Sequence, residues 1–198
     1  MSQLCFQCDR AFVTLLGGTL SSLLALIVLL NPRKKINKMF IREFKISDTE
    51  EIMQLFYDTI HRINIRDYSS EQVDAWAPKD MDYEQWSDRL QNKMTYVAEE
   101  EGKVIGFAEL EKTGHIGCFY CHADYQGKGV GTRLMNQIQV RAKNLGIQKL
   151  FTEASITARP FFERRGFTVI TPQEVERRGM KFINYVMEKA IQLDSSDS

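Results

Sequence analysis

The chain has no excess of either charge. Its 198 residues hold 26 Lys+Arg and 26 Asp+Glu, a net charge of zero. A protein that grips a polyanion carries a basic surplus, so no nucleic-acid partner is expected. Cysteine is scarce, with four at positions 5, 8, 118 and 121. Cys5/Cys8 and Cys118/Cys121 both have CxxC spacing, but more than half the chain separates the two pairs. The second pair falls in an apolar, strand-like run, where a short metal knuckle is hard to form. The expectation is free thiols in a reducing compartment and no metal site. No internal repeat is visible. What is present is the balance of a globular chain, 43% hydrophobic and 26% charged, long enough for one domain with a core and a small appendage.

Only one long uncharged run exists. Residues 11–30, AFVTLLGGTLSSLLALIVLL, could cross a bilayer as a helix. Arg33, Lys34, Lys35 and Lys38 follow it, which would put the downstream part on the cytoplasmic side. A secretory signal fits poorly, because the basic residues follow the apolar run. Gly17, Gly18, Ser21 and Ser22 weaken the run, and Met39 opens a segment that reads as a domain start. Residues 1–38 are therefore read as an apolar extension, either a membrane anchor or a mis-assigned start. The remainder holds 21 basic and 25 acidic residues, an ordinary mildly acidic domain over 39–191 with a polar tail over 192–198. The expected location is cytoplasmic, with tethering to the inner face of a membrane if residues 11–30 insert.

Along that domain, residues 40–46 alternate as a half-buried strand. Ser47 and Asp48 offer caps to a helix carrying Ile52, Leu55, Phe56, Thr59, Ile60 and Ile63 on one face. Ser69-Ser70-Glu71-Gln72 starts a second helix that Ala77-Pro78 stops, and residues 83–92 form one more short helix. A hairpin around Glu-Gly-Lys, a third strand over 115–121, a helix with Leu134, Ile138, Ala142 and Leu145 on one face, and Gly146 as its stop follow. Then come a strand, a short helix ending at Gly166 and a hairpin around Gly179. The order reads β-α-α-β-β-β-α-β-α-β-β, with 83–92 as the additional helix. This is an α/β chain with a mixed, mostly antiparallel sheet flanked by helices.

Residues 124–135, DYQGKGVGTRLM, place glycines at 127, 129 and 131 between a strand and a helix. Successive backbone N–H groups there can turn toward one anion, and the helix N-terminus adds partial positive charge. Lys128 and Arg133 can add charge-assisted contacts. A Walker A loop would need GxxxxGK[ST], and the dinucleotide fingerprint needs a wider final gap. A tight strand-to-helix turn without any ligand is the plainer alternative.

The stretch resembles the Q/R-x-x-G-x-G/A motif of the GNAT acetyltransferase superfamily, and TARPFFERRGF (157–167) resembles that family's helix followed by Gly-Phe. The resemblance covers about residues 39–190. It implies the GNAT acyl-CoA N-acyltransferase fold, acetyl-CoA as cosubstrate, and direct attack by a small-molecule or peptide amine in a ternary complex. It implies that Gln126, Gly127, Lys128, Gly129, Val130, Gly131 and Thr132 hold the pyrophosphate. Main chain around Phe119, Tyr120 and Cys121 would pair with the pantetheine arm, in a gap against residues 150–154, with Ser155 bonding the arm. A backbone N–H at Tyr120 or Cys121 would polarise the thioester. Glu109 is the first candidate base and His115 the second. Phe162 stands where relatives carry a tyrosine acid, so water or the Tyr120 hydroxyl would protonate the thiolate. The acceptor site is expected over 62–86, where Tyr68, Trp76, Tyr83 and Trp86 with Asp67, Asp74, Asp80 and Asp82 would suit a cationic amine. A different class, a GNAT-fold acyl-CoA-binding module without turnover, competes with the enzyme.

Overall fold

The computed structural model describes residues 39–192. The apolar run at 11–30, the first CxxC pair and nearly all of the tail lie outside the described residues. Among those described, no helix is long and apolar enough to cross a membrane.

Strand β1 (Phe40–Glu43) ends earlier than the alternation over 40–46 predicts. The reason is Asp48. Its carboxylate accepts from Lys45 N at 2.8 Å and takes both ends of the Arg42 guanidinium, at 2.6 and 3.0 Å. That clamp curls residues 46–48 into a 3-10 turn. Asp48 does precede helix α1 (Thr49–Arg62), but its side chain turns back to the strand and does not cap the helix. Five of the six residues expected to face inward from α1 are buried, from Ile52 to Ile60.

Helix α2 (Ser70–Trp76) starts at a reciprocal cap. Ser69 Oγ accepts from Gln72 N at 3.3 Å, and Gln72 Oε1 accepts from Ser69 N at 2.9 Å. Helix α3 (Tyr83–Gln91) is capped by Asp82 Oδ1 on Gln85 N. Strands β2 (Met94–Glu100) and β3 (Lys103–Leu110) are joined through Glu101 and Gly102, both at positive φ as a two-residue hairpin turn requires. Strand β4 (Ile116–Cys121) completes an antiparallel sheet ordered β1-β2-β3-β4.

Helix α4 (Val130–Asn144), strand β5 (Lys149–Ser155), the short helix α5 (Arg159–Glu163) and the hairpin β6 (Thr168–Arg177) and β7 (Met180–Ala190) follow. They build a second antiparallel sheet ordered β5-β7-β6. Leu134, Ile138 and Ala142 of α4 are fully buried as expected, but Leu145 is 41% exposed. The helix ends one residue earlier. Gly146 at φ +69 closes it, Ile147 N bonds Ala142 O at 2.9 Å, and Ile147 enters the core where Leu145 was expected.

The two sheets meet at one parallel bridge, His115 to Phe151. The expected mixed sheet is therefore two antiparallel sheets sharing one parallel contact. Phe151 N donates to Gly114 O at 3.0 Å, and Thr152 Oγ1 to Ile116 O at 2.9 Å. A Cβ on Gly114 would lie 2.1 Å from Lys149 O, so a side chain there would force the sheets apart. Beyond Ile116, β4 is an edge strand.

Two hydrophobic clusters sandwich the strands. One joins α4 and Phe162 to Ala98, Ala108 and Leu150. The other joins α1, α2 and α3 to Val97, Phe107 and Phe182. Neighbouring residues of β2 (97 and 98) and of β3 (107 and 108) thus enter opposite clusters, the period of two that a two-sided sheet imposes.

Candidate active site

The gap between β4 and β5 is where the fold leaves backbone without a strand partner. His122 N donates to Ile105 O of β3 at 2.9 Å. In an antiparallel ladder the N–H groups of i and i+2 point the same way. Tyr120 N–H therefore also points at β3, opposite its register partner Phe107. The N–H groups of Phe119 and Cys121 face the open edge. This corrects one expectation: the main-chain donor in the gap comes from Cys121 or Phe119 and not from Tyr120. The Cys121 carbonyl is already held, by Thr59 Oγ1 at 3.1 Å and Gln126 Nε2 at 2.7 Å.

At the end of β4 the three glycines do different things. Gly127 and Gly129 have φ of +74 and +86, and a Cβ on either would meet nothing within 4 Å. They supply backbone shape and leave open space above the turn. Gly131 instead makes room, because a Cβ there would sit 2.9 Å from the Phe161 ring. Gly106 of β3, not singled out from sequence, does the same for Val130, at 2.7 Å. Gly129 is the N-cap of α4 and has no side chain to offer, and of the first N–H groups of the helix that of Gly131 meets the Cys121 sulfur. Thr132 Oγ1 accepts from Arg165, whose guanidinium also lies 5.1 Å from the Phe161 ring centre. Lys128 Nζ sits 4.7 Å from the Tyr125 ring, and Arg133 bonds Met39 O at 2.7 Å. Arg165 is thus a cation beside the loop that the glycine motif did not reveal.

Two clefts meet at the gap. One, of about 170 Å³, is lined on the α4/α5 side by Phe119, Cys121, Gln126, Phe161 and Phe162. The other, of about 180 Å³, is lined on the α2 side by Tyr68, Arg89, Arg177, Phe182 and Asn184. Trp76, Gly117, Tyr120, Glu153 and Ser155 line both. Ser155 Oγ accepts from Ala158 N at 3.1 Å, and its hydroxyl also bonds the Tyr68 phenol. Phe162 is 2% exposed, with its ring against Phe119, Phe161 and Phe167. It is a core residue that closes one wall. Burial pushes the Tyr120 phenol well above the ordinary tyrosine range, with the Cys118 sulfur adding to it. Tyr120 therefore keeps its proton near neutral pH. Burial also pushes the Cys121 thiol up to about 12, and Cys118 and Cys121 belong to opposite clusters.

Glu109 does not line either cleft. It is fully buried, and its Oε2 is held by Arg89 at 2.9 and 3.2 Å and by Lys93 at 3.3 Å. Gly117 is bare to fit this clamp, since a Cβ there would lie 2.8 Å from Glu109 Oε2. No substrate amine in either cleft reaches this carboxylate, so the reading of Glu109 as first candidate base is corrected. His115 stands behind the cleft. Its Nε2 lies 2.6 Å from Glu153 and its Nδ1 3.2 Å from Glu111, which Lys93 in turn holds at 2.8 Å. The acid that reaches both clefts is Glu153, on the solvent-facing side of β5.

The acceptor region departs from expectation in its charge. Tyr68 and Trp76 line the α2-side cleft, while Trp86 is packed in the core and Tyr83 is exposed. None of the four aspartates lines either cleft. Asp67 bonds Thr157, Asp74 meets His61 and Asp82 caps α3.

Known proteins fit this geometry. A family model of the acetyltransferase (GNAT) domain matches residues 64–189. The N-acetyltransferase YafP of Escherichia coli K12 is 29% identical over 153 residues, 77% of this chain and 96% of its own. An amino-acid acetyltransferase of Pasteurella multocida is 32% identical over 94 residues, 45% of this chain but only 21% of its own length. Among solved structures, a GCN5-related N-acetyltransferase from Rhodopseudomonas palustris is 32% identical with a TM-score of 0.74, covering 76% of this chain and 94% of that one. The PaiA N-acetyltransferase of Thermoplasma acidophilum, solved with coenzyme A, shares the fold at 19% identity and TM-score 0.65 over 77% of this chain and 99% of that one. With the glycine turn, the open β4 edge and these matches together, the chain belongs to the GNAT acetyltransferase family.

Proposed function

We propose that the chain moves an acetyl group from acetyl-CoA to a primary amine by direct attack, with both substrates bound at once. The observation that carries this reading is the open edge of β4 running into the glycine turn. Backbone N–H groups of Phe119 and Cys121, free space above Gly127 and Gly129, and the cations Lys128 and Arg165 fit an extended arm ending in a pyrophosphate. Acetyl-CoA, when bound there, supplies the activated acetyl thioester. Gln126 fixes the turn to the end of β4 through the Cys121 and His122 carbonyls. The Cys121 N–H is the donor for the thioester oxygen, an oxyanion-hole role.

An ammonium cannot attack, so its proton must leave. Glu153 takes it, because it is the acid that lines both clefts, and His115 behind it receives or shares the charge. Water, or the Tyr120 hydroxyl that lines both clefts, returns a proton to the departing sulfur, and burial weakens the phenol as a donor. That role would otherwise fall at Phe162, which has no proton.

The test is coenzyme A release by the full chain across an amine panel, beside acetyl-CoA binding by calorimetry. The expected result is saturable binding and release that depends on the amine. Binding with no release on any amine would leave an acyl-CoA-binding module; no binding would remove both readings.

A further inference from the structure

The α2-side cleft holds one cation that no side chain partners. Arg177 lines it from β6, and its side chain makes no ion pair or hydrogen bond among the described residues. Strand alternation puts Arg177 on the same face as Val175, which packs against the helix cluster, while Glu174 on the opposite face pairs with Lys181 at 2.7 Å. The other cation of the cleft, Arg89, pairs with Glu109. The acid of the cleft, Glu153, bonds His115 and faces the gap, where an amine would meet it. Arg177 is therefore the cation of the cleft without a side-chain partner. At the gap end of the same cleft, Asn184 Oδ1 is buried without a partner. Asn184 is the register partner of Ser155, one strand from the acid that lines both clefts. Between the two ends stand Tyr68, Trp76 and Phe182, in mutual ring contact at 5.3 to 5.9 Å.

We infer that the acceptor is an amino-alkanoate, an amine with a carboxylate several atoms away, with its carboxylate on Arg177 and its amine at Glu153 and Asn184. The inference rests on the acetyl-transfer reading above for the amine end, and on Arg177 alone for the acid end. The guanidinium offers a planar fork that matches a carboxylate. The orphaned Asn184 oxygen needs a donor, which an amine or ammonium supplies and an apolar acceptor would not. The aromatic wall between them takes the carbon stem. Along β7, Asn184 lies four residues from Met180, the register partner of Arg177, about 13 Å of strand. The reach of the arginine side chain shortens that span, so acceptors with several atoms between amine and acid should be the better ones.

The experiment uses the full chain with saturating acetyl-CoA and matched pairs: 4-aminobutyrate and 6-aminohexanoate, each against its carboxamide. Coenzyme A release gives kcat/KM, and calorimetry with coenzyme A present gives binding of each compound. The acids should beat their amides by about tenfold or more, the worth of one charge-assisted bond. Arg177→Gln should bring that ratio to about one through KM, and Arg177→Lys should restore part of it. The acetyl-CoA Kd should not move in either variant. Amides used or bound as well as acids, or a preference that survives Arg177→Gln, would overturn the inference while leaving acetyl transfer intact. If nothing in the panel turns over, the calorimetric acid-to-amide ratio decides the carboxylate, and equal binding overturns it. Loss of acetyl-CoA binding in the unmodified chain would instead bring down the transfer reading.

Discussion

Glu109 and Glu153 are both strand carboxylates near Gly117, yet their surroundings give them opposite work. Glu109 is closed in by Arg89 and Lys93. Removing its charge takes the carboxylate from Arg89, while Lys93 keeps Glu111 and both cations reach solvent, a cost of about 1–3 kcal/mol for weakened charge-assisted bonds in a closed site. Glu109→Gln should therefore lower the urea midpoint substantially. Glu153→Gln should move stability by less than about 0.5 kcal/mol, as exposed-site changes do, and lower kcat by about 10² or more. Urea melts and steady-state kinetics on both variants check this, and a kcat loss confined to Glu109→Gln would reverse the assignment. Sequence showed Glu109 as a lone acid in an apolar strand, but its partners Arg89 and Lys93 lie on α3 and just beyond it, a pairing that only tertiary packing reveals. Glu153, Arg177 and Asn184 were illegible for a similar reason. Their meaning comes from the register of three strands around one gap, and nothing in a single strand states its register with another.

At the scale of elements, the turns were the most readable parts. Glu101-Gly102, Gly127, Gly129, Gly146 and Arg178-Gly179 all have positive φ. Left-handed backbone favours glycine so strongly that the residue itself marks the turn. Helix α2 was legible from its reciprocal cap. The end of α4 was misread because Leu145 keeps the helical spacing while Gly146 has already turned the chain. The glycine turn gives the sharpest prediction of this scale. In Gly129→Asp, a carboxylate enters open space at the start of α4, at a φ of +86 that strains any side chain. Acetyl-CoA binding should be lost in calorimetry while circular dichroism keeps its shape; full affinity in a folded variant would contradict the role of the turn. The clamp at the start of α1 gives a pH prediction. Burial pushes the Asp48 carboxyl up, but the bonds from Arg42 and Lys45 outweigh it and hold it below the ordinary carboxylate range. Its stabilisation is thus present above the unfolded pKa of about 3.9 and is lost as pH falls through the lower folded value. The gap in urea midpoint between the unmodified chain and Asp48→Asn should be full at neutral pH and should close in strong acid. A constant gap would mean that the clamp is not electrostatic.

Over the whole domain, two antiparallel sheets touch at His115–Phe151 and then part, and the parting is the functional feature. The clamp of Glu109 behind Gly117 keeps β4 seated on the helix side, and bare Gly114 lets β5 approach at one point only. The central claim is that acetyl-CoA fills the resulting edge. Residue-resolved amide hydrogen exchange of the full chain, with and without acetyl-CoA, tests it most directly. The amides of Phe119 and Cys121 and those of residues 127–132 should slow on binding, while Tyr120, already turned to β3, should change little. Bound acetyl-CoA with no slowing at Phe119 and Cys121 would place the cosubstrate elsewhere and contradict the account.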